Sequence, residues 1–154
     1  MPGPPLVTPF TIALKFVGLS ELPGVVHSPA IVAMLQLVDP GVHDDETPWC
    51  SAFANYVAWL CGLPRSNSLA ARSWLTVGVV VPLEAARPGY DVVILTRGPN
   101  AAPSSVLQAP GHVGLFVEWK PAQRQVLVVG GNQGNRVSMA AFDASRVLGV
   151  RRLA

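Results

Sequence analysis

The spacing of apolar residues changes from a helical repeat in the first half of the chain to a strand-like repeat in the second. Apolar residues three and four positions apart, after the start signals Ser28-Pro29 and Thr47-Pro48, predict helices over residues 29–38 and 48–60. Further helices are predicted over residues 9–19 and 69–75. Short Val-rich stretches between turn residues predict strands over 91–96, 113–119, 125–129, 136–140 and 147–153. Helices first and strands second, without crossover helices, predict an α+β fold with a mostly antiparallel sheet.

The length and composition fit one folded domain. The 154 residues are expected to form a single domain, with residues 1–9 as an irregular Pro-rich arm and residues 98–110 as an exposed loop. Half of the residues are hydrophobic and 13% are charged, against ~25% in an average soluble domain, which excludes a disordered chain. No apolar run approaches the ~18–20 residues of a membrane span, so stable membrane insertion is not expected.

The charge pattern bears on the binding partners, and the first residues bear on the place of synthesis. A net charge of +2, with no basic cluster beyond Arg151 and Arg152, offers no patch for phosphates, and nucleic acid is not an expected partner. The first residues lack a basic n-region, and Pro9 and Lys15 interrupt the apolar stretch that follows. We therefore expect synthesis in the cytoplasm without a signal peptide. Two cysteines cannot form a disulfide framework for a domain of this size.

Cys50 is the sharpest candidate for chemistry. A helix capped by Thr47 and starting at Pro48 places Cys50 in its first turn, where free N–H groups and the helix dipole favour a thiolate. The acidic residues 44–46 oppose a thiolate, so a partner such as histidine is needed. The alternative is a small buried apolar residue, which is also the expected role of Cys61. A rise of ~16 Å along a continuous helix excludes a disulfide between the two cysteines.

His112 is the candidate base. It opens a predicted strand in which alternation places His112, Gly114 and Phe116 on one face, so that a small residue lies beside the ring. The alternative is a hydrogen-bonded core histidine. His27 and His43 fall in predicted loops and are expected to be solvated surface residues.

Asn132 and Gln133, in a Gly-rich segment after the next strand, are candidates for a third group that orients the imidazole. The alternative is a plain hairpin turn, which the glycines alone would explain. Zinc is a further alternative, because histidines, a cysteine and acidic residues are present. No pair of these residues has a compact ligand spacing, so we expect neither a metal nor another cofactor.

Four blocks of sequence carry a resemblance to a known family. They are Asp44-Asp-Glu-Thr-Pro-Trp-Cys-Ser-Ala-Phe, Asn67-Ser-Leu-Ala-Ala-Arg-Ser-Trp, Gly111-His-Val-Gly and Gly130-Gly-Asn-Gln. In this order they closely resemble small CHAP-like cell-wall hydrolases of phages and bacteria, which are NlpC-related and belong to the papain-like peptidoglycan amidases and endopeptidases. The sequence departs from that pattern where Tyr90 separates Pro88-Gly89 from Asp91, and where glycines replace a glutamate before Asn132.

The resemblance implies a papain-like fold, with N-terminal helices packed on the antiparallel sheet, and a set of roles. Cys50 is then the nucleophile, His112 the general base and Asn132 the orienting group. Gln133, Trp49 and Trp74 are expected to line the substrate groove, although the spacing of Trp49 in the apolar stripe favours a core position.

The resemblance also implies a substrate and a place of action. We expect a monomer that cleaves bacterial peptidoglycan at the cell wall, as a phage endolysin released through a holin-type lesion or as a related bacterial lytic enzyme. The alternatives are a secreted antibacterial toxin with an immunity partner, and a non-catalytic wall-binding module. A pure binding module has no need for both Cys50 and His112.

Overall fold

Helices precede a six-stranded sheet in the computed structural model, which describes residues 1–4 and 6–154. The elements are α1 (Pro9–Lys15), α2 (Pro29–Val38), α3 (Cys50–Leu60), β1 (Val79–Val81), β2 (Asp91–Thr96), β3 (Gly111–Lys120), β4 (Gln125–Gly130), β5 (Ser138–Asp143) and β6 (Val147–Arg152). Short 3₁₀ helices cover Ala71–Thr76, Leu83–Ala85 and Ala144–Arg146. The predicted α+β class is confirmed.

Helices α1 and α2 begin where the sequence predicts because each start combines a hydroxyl cap with a proline. At α1 the Thr8 hydroxyl accepts a hydrogen bond from the Thr11 N–H at 3.2 Å, and the two threonines form a capping box. At α2 the Ser28 hydroxyl accepts from the Ile31 N–H at 3.4 Å. The proline after each cap takes the first helical position, where an N–H would have no helical partner.

Helix α1 ends at Lys15, earlier than predicted, because the chain after it pairs with another segment. The Gly18 N–H donates to the Val137 carbonyl at 2.9 Å, and the Val137 N–H donates to the Leu19 carbonyl at 2.8 Å. Backbone groups held in this way cannot continue the helical ladder. The expected arm of residues 1–9 includes Pro5, which lies outside the described residues; residues 1–4, 6 and 7 form no helix or strand.

The sheet has the order β1-β6-β2-β3-β4-β5, and every neighbouring pair is antiparallel. Strand β1 was not predicted, because a run of three valines shows no alternation. The strand predicted over 136–140 is β5, which starts later because residues 131–137 form a turn in which the Gln133 N–H donates to the Arg136 carbonyl at 2.9 Å.

The two faces of the sheet bury different residues, as the alternation in the strands requires. Val113 and Leu115 of β3 pack in the cluster that contains the helices. Phe116 of β3 belongs to a second cluster, which contains no residue of the three α-helices. Among the described residues, no helix combines the length and apolar character that a bilayer span requires.

Gly131, just after β4, lies against the side chains of Trp49 and Phe53 at the start of α3. A Cβ at this position would lie 2.7 Å from Phe53 Cβ and 2.7 Å from Trp49 Cζ3. Both neighbours are fully buried and cannot withdraw. We therefore expect Gly131→Ala to lower the free energy of unfolding by about 1–3 kcal/mol through overpacking, measured by guanidinium denaturation. Gly134→Ala is the control: it meets no atom within 4 Å and adds only the strain of a φ of +67°. A smaller loss of unfolding free energy for Gly131→Ala than for Gly134→Ala would contradict the overpacking explanation.

Candidate active site

Cys50 is the first residue of α3, so it lies in the first turn, although the predicted cap is wrong. Thr47 does not cap the helix, because its N–H and hydroxyl both donate to the Asp44 carboxylate, at 2.7 and 3.0 Å. Trp49 takes the N-cap position without a side-chain hydrogen bond. The N–H groups of the first turn therefore have no side-chain acceptor at the cap, and they point to the end of the helix where Cys50 lies.

Burial raises the pKa of the Cys50 thiol, contrary to the lowering that its helix position predicts. The side chain is 3% exposed. The backbone at Val113 and at Ser51 and the charge of Arg97 all favour the thiolate, but burial outweighs them. At neutral pH Cys50 is therefore a thiol, and a base must remove its proton before it can attack.

A buried polar network fixes the first turns of α3. The Ser51 hydroxyl donates to the Ser68 carbonyl at 2.6 Å and accepts from Trp74 Nε1 at 3.0 Å. Asn55 Nδ2 donates to the Ser51 carbonyl at 2.9 Å, and Asn55 Oδ1 accepts from the Asn67 N–H at 2.9 Å. The block around residues 67–74 therefore holds the helix that carries Cys50.

The two tryptophans expected in the substrate groove lie in the core instead. Trp49 and Trp74 are both 0% exposed. The indole N–H of Trp49 donates to Glu21 Oε1 at 2.8 Å, and that of Trp74 is taken by the network under α3. Neither ring can contact a bound substrate, so the predicted groove position is wrong for both, and the core position that the apolar stripe favours for Trp49 is confirmed. Both tryptophans therefore support the site by packing in the core next to it.

Strand pairing brings three chain segments together near His112. His112 pairs with Leu95 of β2, and Leu95 also pairs with Val147 of β6. The end of β2, the start of β3 and the start of β6 therefore meet at one end of the sheet. Arg97, just after β2, and Arg146, just before β6, both line a cavity of about 380 Å³ with His112.

The imidazole of His112 is held by Gln133, and this orientation sets its tautomer. Gln133 Nε2 donates to the carbonyls of Ser138 at 2.7 Å and Val128 at 3.3 Å, so Gln133 Oε1 faces His112 Nε2 at 2.8 Å as an acceptor. His112 Nε2 therefore carries the proton, and Nδ1 is the basic nitrogen. The hydrogen bond expected of Asn132 is made by Gln133; Asn132 lines the same cavity.

Burial lowers the pKa of His112 to about 4. The hydrogen bond that His112 donates to Gln133 Oε1 acts in the opposite direction, and the positive charges of Arg97 and Arg146 add to the lowering. The ring is 6% exposed, and its centroid lies 5.3 Å from that of Phe142. At neutral pH His112 is thus uncharged and able to accept a proton.

Cys50 and His112 lie next to each other in the fold but line different cavities. Cys50 borders a cavity of about 260 Å³, whereas His112 borders the cavity of about 380 Å³, and Arg97 lines both. The thiol reaches the backbone of Val113, the residue after His112. Among the described residues, no hydrogen bond joins the thiol to the imidazole. Catalytic hydrogen bonds are often long before substrate binds, so the missing hydrogen bond alone does not exclude the pair as candidates.

A buried arginine that the sequence did not single out anchors the loop beside Cys50. Arg72 is 0% exposed; its Nε donates to the Pro110 carbonyl at 3.1 Å and its Nη1 to the Ala102 carbonyl at 2.9 Å. Both carbonyls belong to the loop of residues 98–110, which contains no helix or strand, and whose last part lines the Cys50 cavity. The only sign of this anchor in the sequence is an arginine within the short helix predicted over 69–75. Its carbonyl partners lie 30 and 38 residues further along the chain, so the sequence did not indicate them.

The other two histidines and Cys61 line neither of the two cavities, and His43 is exposed, as the sequence predicts. His27 is not a plain surface residue, because its Nδ1 lies 3.0 Å from Asp45 Oδ1. Burial raises the pKa of Asp45, yet hydrogen bonds from the Ser28 and Leu22 N–H groups and from His27 hold it at about 2. Cys61, expected to be buried, is partly exposed because it follows the last residue of α3.

Neither a disulfide nor a metal cluster is found among the described residues. Both cysteines are free. No group of three or more His, Cys, Asp or Glu side chains in residues 1–4 and 6–154 is arranged to hold a metal ion.

The arrangement defines a class of fold. A helix that begins at a cysteine and packs on an antiparallel sheet, with a histidine at the start of a central strand, is the α+β arrangement of a papain-like fold. Among solved structures the chain is similar to NlpC1 from Trichomonas vaginalis, with a TM-score of 0.55 and 15% identity. The match covers 94% of this chain and 42% of that one, so the chain spans less than half the length of that structure. No family model matches the sequence, and no curated protein does.

Proposed function

We propose that the protein is a papain-like cysteine hydrolase that cleaves an amide bond in the stem or cross-link peptides of bacterial peptidoglycan. The observation that carries the proposal is the placement of Cys50 at the first residue of α3, against the strand start where Gln133 orients His112. The NlpC-type fold and the four sequence blocks support the choice of peptidoglycan. CHAP-like character, a phage lysis role, the absence of a cofactor and action at the cell wall belong to the same proposal.

In the proposed mechanism His112 Nδ1 takes the proton from Cys50 Sγ, and the thiolate attacks the amide carbonyl carbon. The oxyanion that forms is stabilised by free N–H groups at the start of α3. The C–N bond then breaks, and the imidazolium returns its proton to the leaving amine. Water, deprotonated by His112, hydrolyses the thioester and regenerates the thiol. The neutral thiol and neutral imidazole of the resting state are the protonation states from which this sequence starts.

A non-catalytic wall-binding module is the second candidate. The buried thiol with its raised pKa, and the separate cavities of Cys50 and His112, favour this reading. It predicts that the protein sediments with purified cell walls but releases no soluble fragments from them.

Thiol alkylation distinguishes the two candidates and also tests for a metal. We expect the wild-type protein to solubilise purified cell walls, to lose that activity when iodoacetamide modifies Cys50, and to keep it in EDTA. Cys61→Ser is the control, because the partly exposed second thiol is then absent and the inhibition should be unchanged. Mass spectrometry identifies the modified cysteine. Activity that survives complete alkylation of Cys50, or that only EDTA removes, would rule out the thiol mechanism.

Gln133 and Asn132 can be separated by mutation. We expect Gln133→Leu to lower the rate of wall solubilisation by at least about 10-fold, a part of the ~10²–10⁴ that a positioned base contributes, because His112 loses the acceptor that fixes its tautomer. Asn132→Gly keeps a residue that tolerates the φ of 56° and should change the rate by less than about 3-fold. The reverse pattern would return the orienting role to Asn132.

A further inference from the structure

Two arginines beside His112 have no carboxylate partner among residues 1–4 and 6–154. Among the described residues the ion pairs are His27 with Asp45 and Arg152 with Asp91. Arg97 and Arg146 line the cavity of about 380 Å³, and no acidic side chain lines that cavity. Two positive charges in one concave site without a counter-ion make the site suited to an anion.

The fold holds the two arginines differently. Arg146 Nη2 donates to the Thr96 carbonyl at 2.8 Å, and its guanidinium carbon lies 5.1 Å from the centroid of the Phe142 ring. These contacts fix the plane of the guanidinium and leave its other N–H groups free. Arg97 follows Thr96 directly and is exposed, so its guanidinium is free to approach a ligand from the other side. A pair of this kind matches the planar, bidentate geometry of a carboxylate.

The position of Arg97 connects this anion site with the reacting groups. Arg97 lines both the cavity of His112 and the cavity of Cys50. A ligand whose carboxylate binds Arg97 and Arg146 therefore extends past His112 towards the thiol. Stem peptides of peptidoglycan carry carboxylates within a residue of their amide bonds, and some of these are free while others are amidated.

We propose that Arg97 and Arg146 form a carboxylate-binding subsite, and that the enzyme selects wall peptides with a free carboxylate close to the scissile amide. The inference rests on the proposed function and specifies its substrate. Arg97 and Arg146 are specificity-determining residues in this scheme, and neither takes part in proton transfer.

The test compares two preparations of the same cell wall. Both are N-acetylated, so that carbodiimide cannot join wall amines to wall carboxyls, and one is then amidated with carbodiimide and ammonium chloride. We expect the wild-type protein to solubilise the untreated wall about 5-fold to 10-fold faster than the amidated wall. Arg97→Gln and Arg146→Gln should each reduce this ratio towards one, and Arg97→Lys should retain part of it.

Arg124→Gln is the matched control for net charge. Arg124 is exposed in the turn after β3, at the opposite end of that strand from His112 and so roughly 26 Å away. The Arg124→Gln substitution removes one positive charge, as the other two substitutions do, and should leave the preference for the untreated wall intact. Equal rates of the wild-type protein on the two walls, or a preference that survives both Arg97→Gln and Arg146→Gln, would overturn the inference while leaving the proposed hydrolysis in place.

A binding measurement keeps the two proposals distinguishable. Cys50→Ser should co-sediment more strongly with the untreated wall than with the amidated wall, and Arg97→Gln in the same background should remove the difference. If neither wall is solubilised by the wild-type protein, the proposed function fails, and this measurement alone decides the subsite. Equal co-sedimentation with both walls would then exclude a carboxylate site.

Discussion

Replacing Cys50 by serine is expected to lower the rate of wall solubilisation by about 10³-fold or more, the scale on which a covalent nucleophile and its base act together. Serine nearly matches the volume of cysteine, so the packing around this buried position changes little. The hydroxyl is a much weaker acid than the thiol, and His112 cannot activate it to a comparable extent. Release of soluble muropeptides from purified walls measures the loss.

The base should matter as much as the nucleophile, and the two losses should not add. We expect His112→Gln to reduce the rate by a similar factor, and the double variant Cys50→Ser with His112→Gln to be no slower than either single variant. Circular dichroism and denaturation curves establish that each variant is folded. A folded Cys50→Ser protein with more than about a tenth of the wild-type rate would refute the nucleophile assignment.

Acidification from pH 6.5 to pH 4 is expected to remove about 3 kcal/mol of stability through His112 alone, at ~1.36 kcal/mol per pH unit. Burial lowers the pKa of this ring from its ordinary value of 6.5 to about 4 in the folded protein. Between these two values the unfolded chain binds a proton that the folded chain does not, so stability falls as the pH falls. Above pH 6.5 both states are neutral at this position and the contribution is constant.

The measurement is a set of denaturation curves between pH 4 and pH 7.5 for the wild-type protein and for His112→Gln. The substitution removes the titrating group, so the difference between the two slopes isolates the contribution of His112. Asp45, with its folded pKa of about 2, also destabilises the protein in acid, but it acts below pH 4 and equally in both proteins. Parallel slopes for the two proteins would show that His112 is not held uncharged by burial.

Local signals in the sequence were sufficient for the parts of the fold that local chemistry decides. A hydroxyl cap followed by proline determines the starts of α1 and α2, and alternation places Val113 and Leu115 on the helix side of β3. The same reasoning failed for Thr47, because Asp44, three residues before it, competes for its hydrogen bonds. Two candidate capping residues three positions apart leave the cap undecided until the conformation of the loop between them is known.

The site required information that no short window of sequence contains. Gln133, and not Asn132, forms the hydrogen bond with His112 because the carbonyls of Val128 and Ser138 orient the Gln133 amide. These two carbonyls come into position only when β4 and β5 pair. Arg97 was detectable only as an arginine directly after a predicted strand; its closeness to Arg146 follows from the pairing of β2 with β6. The sequence therefore indicated which residue types could serve in a site, but long-range strand pairing determines which of these residues contact each other.

The anchoring of the loop of residues 98–110 through its main chain allows the sequence of the loop to be exchanged. Arg72 donates to main-chain carbonyls of this loop and to none of its side chains; the acceptors are the carbonyls of Ala102, Pro103, Val106 and Pro110. Loop sequences that preserve this backbone path can therefore be grafted here without losing the anchor. Since the end of the loop lines the Cys50 cavity, a library confined to these positions would change the wall of that cavity while Cys50, His112 and their supports stay constant.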